Sequence, residues 1–301
     1  MKQASFWSLW KTRILGSFVT SLLLLYTLSL ASFGVLILVF LIWPIPISPW
    51  RRFVQRFLQR VPSYWNNINH YILQITNHGK LHLIGDAPLK KNGWYIVLSN
   101  HQNWADILII SNLLRHRVPA LKFFMKKSLI WRLPIAGFLC HHLGYPMMNR
   151  HTSNEVKKNP ALKGQDIATT RDLCKEFRER PTSIINFVEG TRFTEKKREQ
   201  RRSPFLYLLK PKAGGVAIVL EELHDILDGI INITIHYEGD RLNVWNFVCG
   251  RYTKIDVHYE VLPITADIIG NYHEDRAFRV QFQNWLNRIW VEKDHLLREL
   301  K

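Results

Sequence analysis

The sequence predicts an α/β fold in which a mostly parallel sheet is covered by helices on both faces, behind an amino-terminal hydrophobic membrane segment. Three observations support this prediction. Seven short apolar runs between residues 81 and 262 look like strands, and helical stretches separate them, which is the pattern of a mainly parallel sheet. Residues 15–43 are almost wholly apolar. About 250 residues then remain, enough for one large domain with a buried core.

The apolar segment is longer than the roughly 20 residues that a helix needs to cross a bilayer. No charged residue lies between Arg13 and Arg51. A cleaved signal peptide would have a shorter apolar run followed by small residues, whereas this run ends in Trp43, Pro44, Ile45 and Pro46. Basic residues lie on both flanks, so both flanks could be cytoplasmic and the segment a re-entrant helix pair that turns near residues 32–34. A single tilted span is an equally good explanation.

The chain divides into three parts on this basis. Residues 1–49 form the membrane anchor, residues 50–78 an amphipathic connecting helix with apolar residues at three- and four-residue intervals, and residues 79–301 the domain that carries the candidate active site. The last helix, from about residue 275 to residue 300, places an apolar stripe that would pack on the sheet or, alternatively, dock on the bilayer.

The net charge of +17 and the pI of about 9.9 predict a surface that attracts polyanions such as phospholipid headgroups, nucleic acid or an acidic protein. Three cysteines without a C-x-x-C spacing exclude a disulfide scaffold and favour a reducing, cytoplasm-facing domain. His141 and His142 follow Cys140, but no further ligand comes at metal-binding spacing. We therefore expect no metal site.

The strongest candidate for chemistry is the pair His101 and Asp106. A histidine at the carboxyl end of a strand lies where open α/β sheets bind their ligands. On a continuous helix, residues five apart would point about 140° away from each other, so the pair requires a turn. Asn103 can supply it by capping the next helix, which brings the Asp106 carboxylate within reach of the histidine ring. Such a pair is a general base, although spacing alone more often means a capping acid beside a loop histidine.

Two sequence blocks resemble those of a known family. Asn100, His101 and Asp106 reproduce the Asn-His-(four residues)-Asp block of the lysophosphatidic acid acyltransferases, also called PlsC-like glycerolipid acyltransferases. Residues 187–192, Phe-Val-Glu-Gly-Thr-Arg, resemble that family's Phe-Pro-Glu-Gly-Thr-Arg-Ser block. Positions between the blocks also follow the family's spacing: Lys126, Leu129, Pro134, Gly137, Gly144 and Arg150.

The resemblance covers about residues 81–237 and has departures. Val188 and Phe193 stand where the family has proline and serine, and Asn149 where an acid often precedes the arginine. The family's Val-Pro-Val type strand is unmatched at residues 231–235. These departures bear on acceptor preference more than on reaction type.

The family resemblance implies transfer of a fatty acyl group from acyl-CoA or an acyl carrier protein to the free hydroxyl of a lysophospholipid such as lysophosphatidate. His101 would be the general base and Asp106 its orienting partner. No cofactor is implied beyond the acyl carrier. The implied substrate-binding residues are Lys126, Arg150, Glu189, Gly190, Thr191 and Arg192.

The Glu-Gly-Thr-Arg loop suits this role physically, because glycine lets the backbone approach a ligand and the planar arginine fork matches a phosphate. By resemblance, Arg192, with Arg150 or Lys126, would hold the acceptor phosphate. Glu189 would contact the glycerol hydroxyl or fix the loop.

The expected partners are membrane phospholipids, a lysophospholipid acceptor and, as one donor, an acyl carrier protein. The expected location is a bacterial inner membrane with the catalytic domain facing the cytoplasm. The alternative is a membrane-tethered polyanion-binding protein that uses the basic residues 196–202 on nucleic acid. That alternative explains the charge but leaves His101 and Asp106 without a role, so we do not expect nucleic acid as a partner.

Overall fold

The computed structural model describes residues 6–42, 45, 47–77, 80–85, 87–119, 121–132, 134–145, 147–148, 161–238, 244–249, 251–252 and 254–301. A six-stranded sheet lies at its centre. Its strands are β1 (Leu81–Ile84), β2 (Tyr95–Ser99), β3 (Leu121–Phe123), β6 (Ser183–Asn186), β7 (Gly229–Glu238) and β8 (Lys254–Leu262). A separate parallel pair consists of β4 (Met125–Lys126) and β5 (Met147–Met148).

The strand order in the sheet is β1-β8-β7-β2-β6-β3. The four strands β7, β2, β6 and β3 are parallel, while β8 runs antiparallel to β7 and parallel to β1. All five residues of β2 are buried, as expected for a central parallel strand whose sequence is a continuous apolar run. The predicted mostly parallel sheet is confirmed, and the loops after β2 and β6 meet at one edge of it.

Helices cover both faces of the sheet, as predicted. The α-helices of the described residues are α1 (Phe6–Ile37, continued by a π-helical segment, Leu38–Ile42), α2 (Ser48–Leu58), α3 (Val61–Asn77), α4 (Ala105–Leu114), α5 (Leu129–Arg132), α6 (Pro134–His142), α7 (Ala161–Arg178), α8 (Glu195–Gln200), α9 (Gly214–Leu223), α10 (Val244–Val248) and α11 (Arg276–Glu299). One face of the sheet packs in a core that includes residues of α1, α3, α4 and α10, and the other face packs against α7, α9 and α11.

The amino-terminal helices form a hairpin. Helix α1 passes through residues 32–34 without a break and continues as the π-helical segment to Ile42, so the alternative with a turn near residues 32–34 is wrong. The connecting segment predicted as one helix is two, α2 and α3. These run back along α1, since Ile37 shares an apolar core with Leu58 and the Tyr26 hydroxyl donates to Asn69 Oδ1 at 2.6 Å.

Helix α1 is long and apolar enough to cross a bilayer between Arg13 and Ile37, with a mean hydropathy of 1.9. Part of its surface packs closely on the rest of the protein. Gly16 contacts Cys249 and Gly34 contacts Leu139, so closely that neither glycine has room for a Cβ atom. Large apolar side chains cover much of the remaining surface, among them Ile14, Phe18, Leu25, Phe33 and Leu36. An amino-terminal helix of this composition suits membrane association.

Candidate active site

The structure brings the candidate histidine and aspartate together. Strand β2 ends at Ser99 and α4 begins at Ala105, and the turn between them places the His101 ring over the start of α4. His101 Nδ1 lies 2.8 Å from Asp106 Oδ2. The Asp106 side chain is fully buried, whereas the His101 side chain is 14% exposed. The outer nitrogen, Nε2, has no hydrogen-bond partner within the described residues and is available to a substrate.

Four donors surround the Asp106 carboxylate when His101 carries a proton on Nδ1. The backbone amides of Gln102 and Asn103 donate to Oδ2 at 2.7 and 2.9 Å, and the Tyr237 hydroxyl donates to Oδ1 at 2.5 Å. The two amide bonds resemble one half of a capping box, in which an acid in the first helical turn reaches back to amides before the helix. These donors stabilise the charged form of the carboxylate. A charged carboxylate in turn stabilises an imidazolium beside it.

Two asparagines fix this turn. Asn103 acts as the predicted cap only in part, since its side-chain oxygen accepts from Ala105 N at 3.3 Å while Trp104 is the residue that precedes the helix. Asn100 bonds both backbone groups of Ile235: its Nδ2 donates to the carbonyl oxygen and its Oδ1 accepts from the amide, each at 2.9 Å. The turn after β2 is thereby joined to β7.

Glu189 lies beneath the histidine turn and is fully buried. Its Oε1 accepts from His101 N at 3.3 Å, and its Oε2 accepts from Leu209 N at 3.0 Å. Burial raises the pKa of this carboxyl to about 8. Because both oxygens already accept backbone amides, the geometry favours the loop-fixing role over contact with a glycerol hydroxyl.

The loop after β6 turns sharply at Gly190, whose φ is +69°. This positive φ favours glycine, and a Cβ atom there would meet only the end of the flexible Lys212 side chain, at 3.3 Å from Nζ. Lys197 Nζ donates to Thr191 Oγ1 at 2.8 Å and to the carbonyl oxygen of Arg192 at 2.9 Å. Thr191 therefore shapes the loop, and the Arg192 side chain extends from a fixed backbone.

Arg192 is the exposed cation at the rim of the site. Its guanidinium lies 5.2 Å from the centre of the Trp104 ring, a cation–π arrangement, and within the described residues it has no ion-pair partner. Of the other two predicted phosphate ligands, Arg150 lies outside the described residues. Lys126 ends β4, but only its backbone is described.

An apolar cavity of about 350 Å³ lies beside His101, within the roughly 300–1,000 Å³ range of ligand pockets. Part of its wall comes from the site itself and part from α1. The site contributes His101, Trp104 and Phe187 to the wall, and α1 contributes Thr27, Leu30 and Ala31. The Phe187 ring also stacks on the His101 ring, with centroids 4.1 Å apart.

Sequence reasoning missed two residues around this site. Tyr237 lies in an apolar strand and looks like ordinary core. Lys293 of α11 is buried, and its Nζ donates to the carbonyl oxygen of Ile233 and to Thr234 Oγ1. Burial lowers the pKa of Lys293 to about 7. A signal for Lys293 was present, since it follows Ile289 by four residues and so falls on the apolar stripe of its helix.

Comparison with known proteins places these residues in context. The 2-acyl-1-lysophosphatidylinositol acyltransferase of Saccharomyces cerevisiae is 23% identical over 254 residues, which are 70% of this chain and 62% of that protein. A probable 1-acyl-sn-glycerol-3-phosphate acyltransferase 5 of Arabidopsis thaliana is 24% identical over 83% of this chain and 65% of its own length. The human 1-acyl-sn-glycerol-3-phosphate acyltransferase delta is 26% identical over 59% of this chain and 45% of its own length. The chain thus spans less than two thirds of the length of each.

A crystal structure of the 1-acyl-sn-glycerophosphate acyltransferase PlsC from Thermotoga maritima superposes with a TM-score of 0.48 and 13% sequence identity, over 98% of this chain and 97% of that one. Residues 80–237 match the family model described as Acyltransferase. The matched region contains both sequence blocks and ends at Tyr237 on β7. Since this match extends over more than half of the sequence and includes the His101 and Asp106 turn, the chain belongs to the Acyltransferase family.

Proposed function

We propose that the protein transfers a fatty acyl group from the thioester of acyl-CoA or an acyl carrier protein to the free hydroxyl of a lysophospholipid, with lysophosphatidate as the preferred acceptor. One observation carries the proposal: the His101 and Asp106 pair, with Nε2 available, borders an apolar cavity partly walled by α1. A general base and a site for an alkyl chain are thus adjacent.

The proton path follows from the hydrogen bonds. Asp106 keeps the Nδ1 proton of His101 in place, so Nε2 accepts the proton of the acceptor hydroxyl as its oxygen attacks the thioester carbonyl carbon. The tetrahedral intermediate then breaks its carbon–sulfur bond, and the leaving thiol takes the proton from the imidazolium. The products are an ester and a free thiol, and His101 is neutral again.

The acyl chain of the donor suits the cavity beside His101. Its walls are apolar, which favours an alkyl chain through removal of apolar surface from water. The stacked Phe187 ring limits rotation of the imidazole.

The acceptor is proposed from Arg192 and from the names of the relatives. Those names specify lysophosphatidylinositol for the yeast protein and 1-acyl-sn-glycerol-3-phosphate for the plant and human proteins. Both acceptors carry a phosphate on glycerol, and the exposed Arg192 fork can bind such a phosphate through two charge-assisted hydrogen bonds.

The proposed site of action is a membrane surface. The apolar helix α1 supports membrane association. The relatives named above come from yeast, a plant and human, so a bacterial inner membrane with the domain facing the cytoplasm stays a prediction from the sequence.

The experiment is an acyl-transfer assay on membranes that contain the protein, with labelled acyl-CoA or acyl carrier protein and a panel of lysophospholipids. We expect transfer to lysophosphatidate, and we expect His101→Ala to lose at least roughly 10²–10⁴-fold in rate because it lacks the general base. His82→Ala, an exposed histidine on β1, is the matched control and should retain activity. Near-normal transfer by folded His101→Ala would eliminate the mechanism. No transfer by the wild-type protein to any acceptor, combined with nucleic-acid binding, would favour the polyanion-binding alternative.

A further inference from the structure

Strand β7 extends past the end of its neighbour β2. Ser99, the last residue of β2, pairs with Ile233, whereas β7 continues to Glu238. Tyr237 therefore lies beyond the edge at which β2 stops, beside the turn that carries His101 and Asp106. A tyrosine at this register can reach the aspartate from the side opposite to the histidine.

The two side chains that bond to the Asp106 carboxylate use different oxygens. Oδ2 faces His101 Nδ1 at 2.8 Å, and Oδ1 accepts from the Tyr237 hydroxyl at 2.5 Å. An O–H donor to a charged carboxylate makes a short and strong bond. The carboxylate plane is thereby fixed at both oxygens.

Tyr237 is itself held firmly. Its side chain is buried, and its ring lies 5.1 Å from the Tyr252 ring, whose hydroxyl accepts from Asn103 Nδ2 at 3.4 Å. Burial first, and then the Asp106 charge, raise the pKa of Tyr237. The phenol therefore stays protonated and acts only as a donor.

We propose that Tyr237 is a positioning residue for acyl transfer: its hydroxyl orients the Asp106 carboxylate and takes up part of its negative charge, and so sets how strongly His101 holds a proton. This inference rests on the proposed function, in which His101 is the general base. Tyr237 contacts neither substrate and transfers no proton.

Other titratable groups near Asp106 bear on any pH measurement. Among the described residues they include His101 on the same turn, Glu189 on the loop after β6, Tyr252 behind Tyr237, and Lys293 of α11, whose charge acts on Glu189. Burial raises the Glu189 pKa to about 8, so Glu189 also titrates in the working range. The comparison must therefore be between variants that leave Glu189 unchanged.

The test is Tyr237→Phe, which keeps the ring and the strand and removes only the hydroxyl. We expect kcat to fall roughly 10- to 100-fold, in line with loss of one hydrogen bond to a charged group, with both KM values changed less than about twofold. The acidic limb of the pH profile of kcat/KM should move to higher pH, because a carboxylate with one donor fewer holds the imidazolium proton more tightly. Tyr237→3-fluorotyrosine, a stronger donor, should move the limb to lower pH.

Tyr259→Phe is the matched control. Tyr259 is a buried tyrosine of the same core, but its hydroxyl accepts from Arg117 Nη1 at 2.9 Å. The pH profile of kcat/KM for Tyr259→Phe should match that of the wild-type protein. Melting curves establish that each variant is folded at the assay temperature.

A double variant with His101→Ala separates the inference about Tyr237 from the proposed function. In His101→Ala protein, Tyr237→Phe should cause no further loss, since the two residues act through one carboxylate. If His101→Ala is inactive and Tyr237→Phe leaves both kcat and the acidic limb unchanged, the inference is overturned and the proposed function stands. If kcat and the melting temperature of Tyr237→Phe fall while the limb stays in place, the role is merely structural, which also overturns it. Normal transfer by His101→Ala overturns both.

Discussion

At the scale of single residues, substitution of Arg192 tests the proposed recognition of the acceptor phosphate. Its guanidinium is exposed over Trp104 on a loop that Gly190 and Lys197 fix. We expect Arg192→Ala to raise the acceptor KM about ten- to a hundredfold or more and to leave the donor KM nearly unchanged, since charge-assisted hydrogen bonds contribute roughly 1.5–3 kcal/mol each. Arg192→Lys should recover only part, because lysine offers a point charge in place of a fork. Steady-state kinetics with each substrate varied in turn measure both constants.

The matched control for Arg192 is Arg198→Ala on α8. The Arg198 guanidinium pairs with Glu195 at 3.1 Å, so its removal should leave both KM values close to those of the wild-type protein. Equal damage to donor and acceptor kinetics by Arg192→Ala, together with a lower melting temperature, would instead assign Arg192 to loop shaping.

Residues whose partners are near in sequence were the ones that could be predicted. His101 and Asp106 are five residues apart, and a strand, a turn and a helix cap suffice to place them together. Tyr237 is 131 residues from Asp106, and only the register of β7 against β2 joins them. A tyrosine in an apolar strand gives no local sign of a polar partner. The loop-fixing role of Glu189 likewise depends on Leu209, which the motif does not contain.

At the scale of secondary-structure elements, α11 places a lysine against the sheet. Lys293 Nζ bonds to β7 at Ile233 and Thr234, and burial lowers its pKa to about 7 from an ordinary 10.5. Between these two pH values the folded protein binds fewer protons than the unfolded chain. The free energy of unfolding therefore rises with pH in this window, by up to about 1.4 kcal/mol per pH unit, and this gain is absent below the lower value.

Lys293→Met keeps the aliphatic stem and removes the titrating group. We expect its stability deficit relative to the wild-type protein to grow from about pH 6.5 to about pH 9. Chemical unfolding of both proteins at the two pH values measures this change. Lys196→Met, at an exposed lysine on α8, should show no such trend. A deficit of the same size at both pH values would refute the lowered pKa of Lys293.

The elements that sequence patterns predicted poorly were those in the apolar amino terminus. Gly34 suggested a turn, but the structure uses it for close contact of α1 with Leu139. A glycine permits either outcome, and only the packing partner decides between them. Strands of the sheet were easier, since each is a short apolar run between polar loops.

At the scale of the whole molecule, the hairpin of α1 with α2 and α3 returns the chain toward its starting end. Val19 in the first half of α1 and Ile72 near the end of α3 share one core cluster. We therefore predict that the amino terminus and the catalytic domain lie on the same side of the membrane. Accessibility labelling in sealed vesicles, with one tag ahead of residue 11 and another after residue 301, should label both tags from one side. Labelling from opposite sides would establish a single span.

Thr27, Leu30 and Ala31 line the cavity, so the amino-terminal helix is part of the proposed binding site. A soluble version that lacks residues 1–49 would lose one wall and open the apolar space to water. Binding in the cavity and docking of α1 against the rest of the domain are thermodynamically linked. A molecule that fills the cavity therefore also stabilises α1 in its docked position. In the proposed function this cavity takes the acyl chain of the donor. A detergent alkyl chain suits the same apolar walls, so a solubilising detergent would compete with the donor.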